Sequence, residues 1–264
     1  MDNSAPAVFI SHGSPMVAIE HDGYTEALAG LGRAFPAARA VLVISAHWQT
    51  ERPVRVTAWE RAPLVYDFGG FPEELYRLTY PAVGDPALAA DVAGMLGEAG
   101  VAAVLEPRRG LDHGAWIPLR LAWPAAAIPV LEVTLPAPAT PVELFGLGRA
   151  LLPLRRRGII VLGSGGIVHN LRRVRFHDRN APVDAWAAEF DAWVAARLAA
   201  GDFDALLAYR QAGPHADLAV PSTEHFDPLF CVLGAAYEGE GTADIFAGFQ
   251  YGNLSMRSFR FAAP

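Results

Sequence analysis

The chain has 264 residues, a formal net charge of −7 at pH 7 and 52% hydrophobic residues, enough apolar material for the core of one large α/β domain. The acidic balance excludes a nucleic-acid partner, which needs a basic surface. All 21 basic residues are arginine, and the absence of lysine excludes Schiff-base, pyridoxal-phosphate and P-loop chemistry.

In chain order, the N-terminal residues pass into Ala7-Val8-Phe9-Ile10 without a basic or long apolar leader, so no export signal is expected and the protein is expected in the cytoplasm. Strand-like runs follow at Val8–Ile10, Ala40–Ser45, Val54–Trp59, Ala102–Leu105, Val130–Leu135 and Gly158–Leu162, with a last extended segment from Ile245 to Phe261. Helical patterns alternate with them at Tyr24–Phe35, Pro72–Thr79, Pro86–Gly100, Trp116–Leu121, Pro141–Leu154, Pro182–Ala200, Phe203–Gln211 and Asp227–Tyr237. Asp85-Pro86 and Thr140-Pro141 each put a capping side chain ahead of a proline at the first helical position. The stretch from Leu121 to Leu135 is broken by Pro124, Pro129 and Glu132, so no membrane span is predicted. The proline-rich passage from Leu135 to Pro141 reads as a strand-to-helix loop. The single cysteine, Cys231, lies in an apolar run, which excludes an internal disulfide and predicts a buried structural thiol. No repeat or linker divides the chain. The expected fold is a single α/β domain over residues 1–264, with a central, mostly parallel or mixed, twisted sheet and helices on both faces.

Histidine carries the functional signal. Five of the eight sit in short segments flanked by glycine or aromatic residues: His12, His47, His113, His169 and His225. His12 and His47 each follow a predicted strand by two residues, and His169 follows the Gly158–Leu162 strand after a predicted turn at Gly163-Ser164-Gly165-Gly166. Ligands of open α/β sheets bind outside the carboxyl ends of the strands, so these segments can deliver imidazoles to one edge. Neutral imidazole is both a common ligand of first-row metals and the side chain that titrates nearest neutral pH. His113 is expected in a loop ahead of a helix, where Asp112 would orient its ring or tune its pKa. His21, His177 and His215 stand in polar contexts and are expected at the surface. Glu224-His225 offers a carboxylate and an imidazole in adjacent positions. With Glu224 the ligand set becomes two histidines and one carboxylate, and with His225 it becomes all-histidine; spacing leaves both open. The glycine turn lacks the third glycine of a dinucleotide fingerprint, and a nucleophile elbow is absent.

The strings FISHGSPM, VISAHW, YDFGGFP, LDHGAW, HNLRRV, TEHFDPL and GNLSMRSF, in this order from about Phe9 to about Phe259, together resemble the 4,5-DOPA extradiol dioxygenase-like family. That family lies within the class III, LigB-type, extradiol ring-cleaving dioxygenases. The resemblance implies one α/β catalytic domain that inserts dioxygen next to the diol of a catechol to give a semialdehyde. Its partners would be a small catechol and dioxygen, with no nucleic acid or membrane. His12, His47 and His225 would be metal ligands, His169 an acid/base or a fourth ligand, and His113 a second proton-transfer histidine. Glu224 stays as the alternative carboxylate ligand. Iron(II) would be the working metal. Zinc(II), which has no redox chemistry, would fill the same site in purified protein. Trp48, Phe68, Phe71 and Trp116 are candidates for an aromatic wall. Two other classes remain at this stage: a zinc hydrolase using a metal-bound water, with Glu224 or His113 as base, and a non-catalytic binding protein on the same fold.

Overall fold

The apolar runs assemble, in a computed structural model that describes residues 4–262, around one six-stranded sheet. Its strands are β1 (Ala7–Ser11), β2 (Ala40–Ser45), β3 (Val130–Glu132), β4 (Ile159–Gly165), β5 (Gly241–Phe246) and β6 (Ser258–Ala262), in the order β3-β2-β4-β1-β6-β5. The first four in that order run parallel, and β6 pairs antiparallel with both β1 and β5. The sheet is therefore mixed, with its parallel strands on one side and the antiparallel β6 and β5 on the other.

Successive side chains of a strand point to opposite faces, and the core divides accordingly. Phe9, Leu42 and Val161 pack on the side that holds α2 (Pro86–Glu98), α4 (Pro141–Leu151), α5 (Ala185–Ala200) and α6 (Asp227–Gly234). Their neighbours Val8, Val41 and Ile160 pack on the other side, against α1 (Gly23–Ala34) and α3 (His113–Ala122). Both faces of the parallel strands are thus covered, which is why these strands read as unbroken apolar runs. Cys231 is buried in α6 as a free thiol. No helix among the described residues is long and apolar enough to cross a membrane.

Some expected elements are placed differently. Val54–Thr57 and Ala103–Glu106 pair in parallel with each other as a separate small sheet. The first of these crosses the end of β3, where Arg55 N donates to Thr134 Oγ1 at 3.0 Å and Val56 bridges Val133, so it cannot extend the main sheet. The predicted turn at Gly163–Gly165 is strand. A Cβ at Gly165 would lie 2.1 Å from the His225 carbonyl oxygen, and one at Gly163 would lie 2.7 Å from that of Pro228. These glycines let the segment leading into α6 lie directly on β4; they do not bend the chain. The closing segment breaks into β5, β6 and a small hairpin between them that pairs Phe249–Gln250 with Leu254–Ser255. The helix read over Pro141–Leu154 divides at Pro153, which lacks the N–H needed to continue it.

Both predicted caps form: Asp85 Oδ1 accepts from Leu88 N at 2.9 Å, and Thr140 with Glu143 closes a reciprocal capping box. Asp85→Ala should therefore cost about 1 kcal/mol and lower Tm by roughly 2–4 °C. Asp85→Ser should retain most of that stability. Thermal denaturation of the three proteins checks this.

Candidate active site

The parallel strands end at one edge, and that edge gathers the histidines. His12 follows β1 directly, and its N–H donates to the Gly165 carbonyl at 3.1 Å. His47 lies two residues past β2. His169 follows β4 and is tied by its N–H to the Ala219 carbonyl at 3.0 Å. His225 lies just ahead of α6, and its carbonyl accepts from Gly166 N at 2.7 Å, which fixes it to the end of β4. His113 is the first residue of α3, capped by Asp112; it is helical, where a loop position was expected. Its neighbour Gly114 allows that helix to approach: a Cβ there would stand 2.8 Å from Ser45 Oγ, 2.9 Å from His47 Cδ2 and 3.1 Å from His12 Nδ1.

The hydrogen bonds assign the tautomers. Ser164 Oγ donates its one proton to the Gly114 carbonyl at 2.5 Å, so toward His12 Nδ1, 2.9 Å away, it accepts. His12 therefore carries its proton on Nδ1 and a lone pair on Nε2. His113 Nδ1 donates to Asp67 Oδ1 at 2.9 Å, and His225 Nδ1 donates to Glu224 Oε1 at 3.3 Å. Asp67 Oδ2 faces His47 Nδ1 at 3.6 Å. Outer acceptors thus occupy the Nδ1 side of these rings and leave the Nε2 side inward, the arrangement common to metal-bound histidines.

His12 Nε2 and His47 Nε2 stand 3.1 Å apart. Two ligands about 2.0–2.1 Å from one tetrahedral ion stand roughly 3.3 Å apart, so this separation fits a shared cation. Candidate ligand atoms of His12, His47 and His113 lie within 4.8 Å of one another, as do those of His169, Glu224 and His225. The His169 and His225 rings stack at 3.5 Å and 8°. Burial, reinforced by the neighbouring imidazoles, pushes the pKa of His12 well below its ordinary value and that of His47 down to about 3. His169 is likewise lowered, first by burial and then by His225. Imidazoles held neutral are the form that binds a metal. Burial opposes ionisation of Asp67, but its hydrogen bonds and charge interaction with His113 outweigh it and hold that carboxyl at about 2.

All five histidines line one cavity of about 240 Å³, together with Asp67, Phe68, Phe71, Leu171, Phe176 and Leu254. Of the expected aromatic wall, Phe68 and Phe71 are in place; Trp48 and Trp116 are buried elsewhere, and Phe176 takes a position not foreseen. Asp67, not Asp112, orients His113, and Asp112 instead accepts from Ser45 Oγ at 2.7 Å. The segment carrying Asp67 is pinned by Val65 N to the Leu111 carbonyl at 2.7 Å and by Trp116 Nε1 to the Val65 carbonyl at 3.2 Å. Nothing in the local sequence pairs Asp67 with a histidine 46 residues away. Glu224 lines a neighbouring cavity behind His225, where it also accepts from Ser222 Oγ at 2.8 Å. His21, His177 and His215 are exposed, as expected.

The sequence profile for the catalytic LigB subunit of aromatic ring-opening dioxygenase matches residues 6–257. The chain belongs to the LigB family. It is similar to the 4,5-DOPA dioxygenase extradiol of Beta vulgaris, 36% identical over 99% of this chain and 98% of that protein. It is also similar to the 4,5-DOPA dioxygenase extradiol of Escherichia coli (strain K12), 39% identical over 96% of this chain and 93% of that one. A crystal structure of an uncharacterized Escherichia coli K12 protein superposes with a TM-score of 0.83 at 35% identity, covering 98% of this chain and 100% of the other. The LigB-family chain is accordingly an extradiol ring-opening dioxygenase, an oxidoreductase, and the hydrolase and binding-protein readings lose their footing.

The lowered imidazole pKa values make the metal-free dioxygenase acid-sensitive. An unfolded histidine takes up its proton near pH 6.5. Folded His12, His47 and His169 do so only lower, for His47 at about 3. Below pH 6.5 the unfolded state therefore binds more protons, and stability falls as pH falls. The slope is at most about 1.4 kcal/mol per pH unit for each imidazole. Tm of metal-free protein should drop between pH 7 and pH 5, and His47→Gln should flatten that dependence. A level Tm over this range would contradict buried neutral imidazoles.

Proposed function

We propose that residues 1–264 act as one metal-dependent catalytic domain that opens catecholic aromatics of the DOPA type, using dioxygen, to a semialdehyde. The observation that carries this reading is the convergence of five imidazoles, from five separate segments, on one aromatic-walled cavity in a chain of this family. The relatives' names supply the DOPA type. The flat apolar faces of Phe68 and Phe71 suit a substrate ring, and neither dioxygen nor a small catechol needs a larger space than the cavity offers. The buried single thiol is consistent with a cytoplasmic setting.

We assign Nε2 of His12, His47 and His225 as the ligands of iron(II), with Glu224 orienting His225 from behind. His169, stacked on His225, is assigned to proton transfer in the iron form and to a fourth ligand position when zinc(II) fills the site. Iron(II), when bound, supplies the redox-active centre that catechol and dioxygen share. The chain's own part is proton handling. With Nδ1–H held by Asp67, His113 presents an unprotonated Nε2 to the cavity and can take a phenolic proton there. Asp67 stays ionised, so it balances the imidazolium that forms until the proton returns to the product. Phe68, one residue away, meets the His113 ring edge to face at 5.6 Å and keeps water from that side.

The test is anaerobic reconstitution with iron(II), then admission of oxygen over a panel of catechols. Yellow semialdehyde and stoichiometric oxygen uptake are expected with iron, and neither with the zinc-loaded protein. Equal ring cleavage by both metal forms would refute the assignment. In a separate comparison, His113→Ala should retain full iron occupancy and Tm but lose turnover by on the order of 10²–10⁴-fold, the range for removal of a general acid/base. Normal turnover at full occupancy would remove His113 from the mechanism.

A further inference from the structure

Beneath the site lies a buried carboxyl group that the reaction does not use. Glu132, at the end of β3, is fully buried, and neither of its carboxyl oxygens meets a hydrogen-bond donor. Its backbone is satisfied, since Glu132 N donates to Thr57 Oγ1 at 2.7 Å. Its side chain faces Asp112 within hydrogen-bonding reach. Asp112 is itself fully buried, and its Oδ2 also lacks a donor. Arg109 is the cation that offsets the two carboxyl groups, its Nη2 standing 3.6 Å from Asp112 Oδ2. Two ionised carboxylates against one guanidinium would leave an unbalanced negative charge in the interior, which is strongly disfavoured. A single added proton removes that charge and supplies the donor that the facing oxygens lack.

We propose that Glu132 is held as the neutral acid, donates its proton to Asp112 Oδ2, and thereby acts as a positioning residue for His47 and His113. Burial first, and then the charge of Asp112, move Glu132 well above the usual carboxylate range, in keeping with this state. The route to the histidines runs through Asp112. Its Oδ1 accepts from Ser45 Oγ at 2.7 Å and from Ala115 N at 3.2 Å. Ser45 Oγ in turn accepts from His47 N at 3.2 Å, and Arg109 Nη2 donates to the His47 carbonyl at 3.3 Å. Both backbone polar groups of His47 are thus gripped by side chains that Asp112 holds. The same carboxylate caps α3, on which His113 is the first residue. Turning Asp112 would displace two imidazoles from different segments at once.

The proton arrangement is independent of the reaction; only a turnover readout rests on the dioxygenase reading. Glu132→Gln keeps the shape and an N–H donor toward Asp112, Glu132→Leu keeps bulk alone, and Asp112→Asn removes the anion. For each variant, Tm, cobalt(II) affinity by titration, and kcat and KM for a catechol turned over by the parent are measured. Glu132→Leu should lose cobalt affinity and kcat by about 10–100-fold, the range for outer partners of metal-site histidines, with KM little changed. Glu132→Gln should rescue both to within about threefold of the parent, and Asp112→Asn should be impaired like Glu132→Leu. Glu132→Gln as impaired as Glu132→Leu would overturn the proposal, because the carboxylate would then be required. Parent-like behaviour of Glu132→Leu in every readout would overturn it as well. If Glu132→Leu fails to fold, the other two decide: parent-like Glu132→Gln beside impaired Asp112→Asn supports the neutral acid, and equal impairment refutes it. A parent that binds cobalt but cleaves no catechol would sink the dioxygenase reading and leave the cobalt comparison intact.

Discussion

Everything at this site depends on keeping clustered imidazoles neutral with their lone pairs turned inward. Two protonated rings among His12, His47, His113 and His225 would repel each other across centroid separations of about 4 to 5.5 Å, and each proton on an inward nitrogen would close off a ligand position. The chain meets this constraint by placing acceptors on the outer side. Ser164, Asp67 and Glu224 each take an Nδ1 proton, so the tautomer follows from the surroundings and not from the metal. The carboxylates could by their charge have favoured imidazolium. Burial outweighs them at His47, where it is the largest influence and the attraction of Asp67 and Glu224 is smaller.

That requirement explains the shape of the fold around the site. Imidazoles can converge only if the segments carrying them approach backbone to backbone, and the glycines stand where they do so. Gly114 brings the first turn of α3 onto Ser45, His47 and His12, while Gly165 lets the His225 carbonyl rest against β4. The parallel order β3-β2-β4-β1 then puts every strand end on the same edge. The geometry of the histidine cluster is thus set by main-chain packing.

Much of this is legible in the sequence. The strands β1, β2 and β4, the two capped helices and the five clustered histidines are local patterns: apolar runs, a capping residue before proline, and imidazoles just past strand ends. The errors are non-local. Gly163–Gly165 looked like a turn because glycine commonly makes one, whereas its use here is to admit α6, which lies more than 60 residues further along. Asp112 looked like the partner of His113 because it is adjacent, but an N-cap carboxylate points along its own helix toward Ala115 N, so the ring must find its acceptor elsewhere. Asp67 supplies it from a loop whose docking on Leu111 is a tertiary contact.

The loop from Arg61 to Pro72 then joins two tasks that could have been separate. Asp67 holds the His113 ring, and Phe68 and Phe71 form the apolar wall beside it. Asp67 and Phe68 are consecutive, so the carboxylate that orients His113 and one face of the apolar wall sit on the same short segment. The orienting carboxylate and the apolar wall are therefore joined by a single peptide unit. If His113 carries the proton transfer proposed above, a substitution at Phe68 is expected to change the pH dependence of turnover along with substrate fit, and to do so more than one at Leu254, which lines the same cavity from the hairpin.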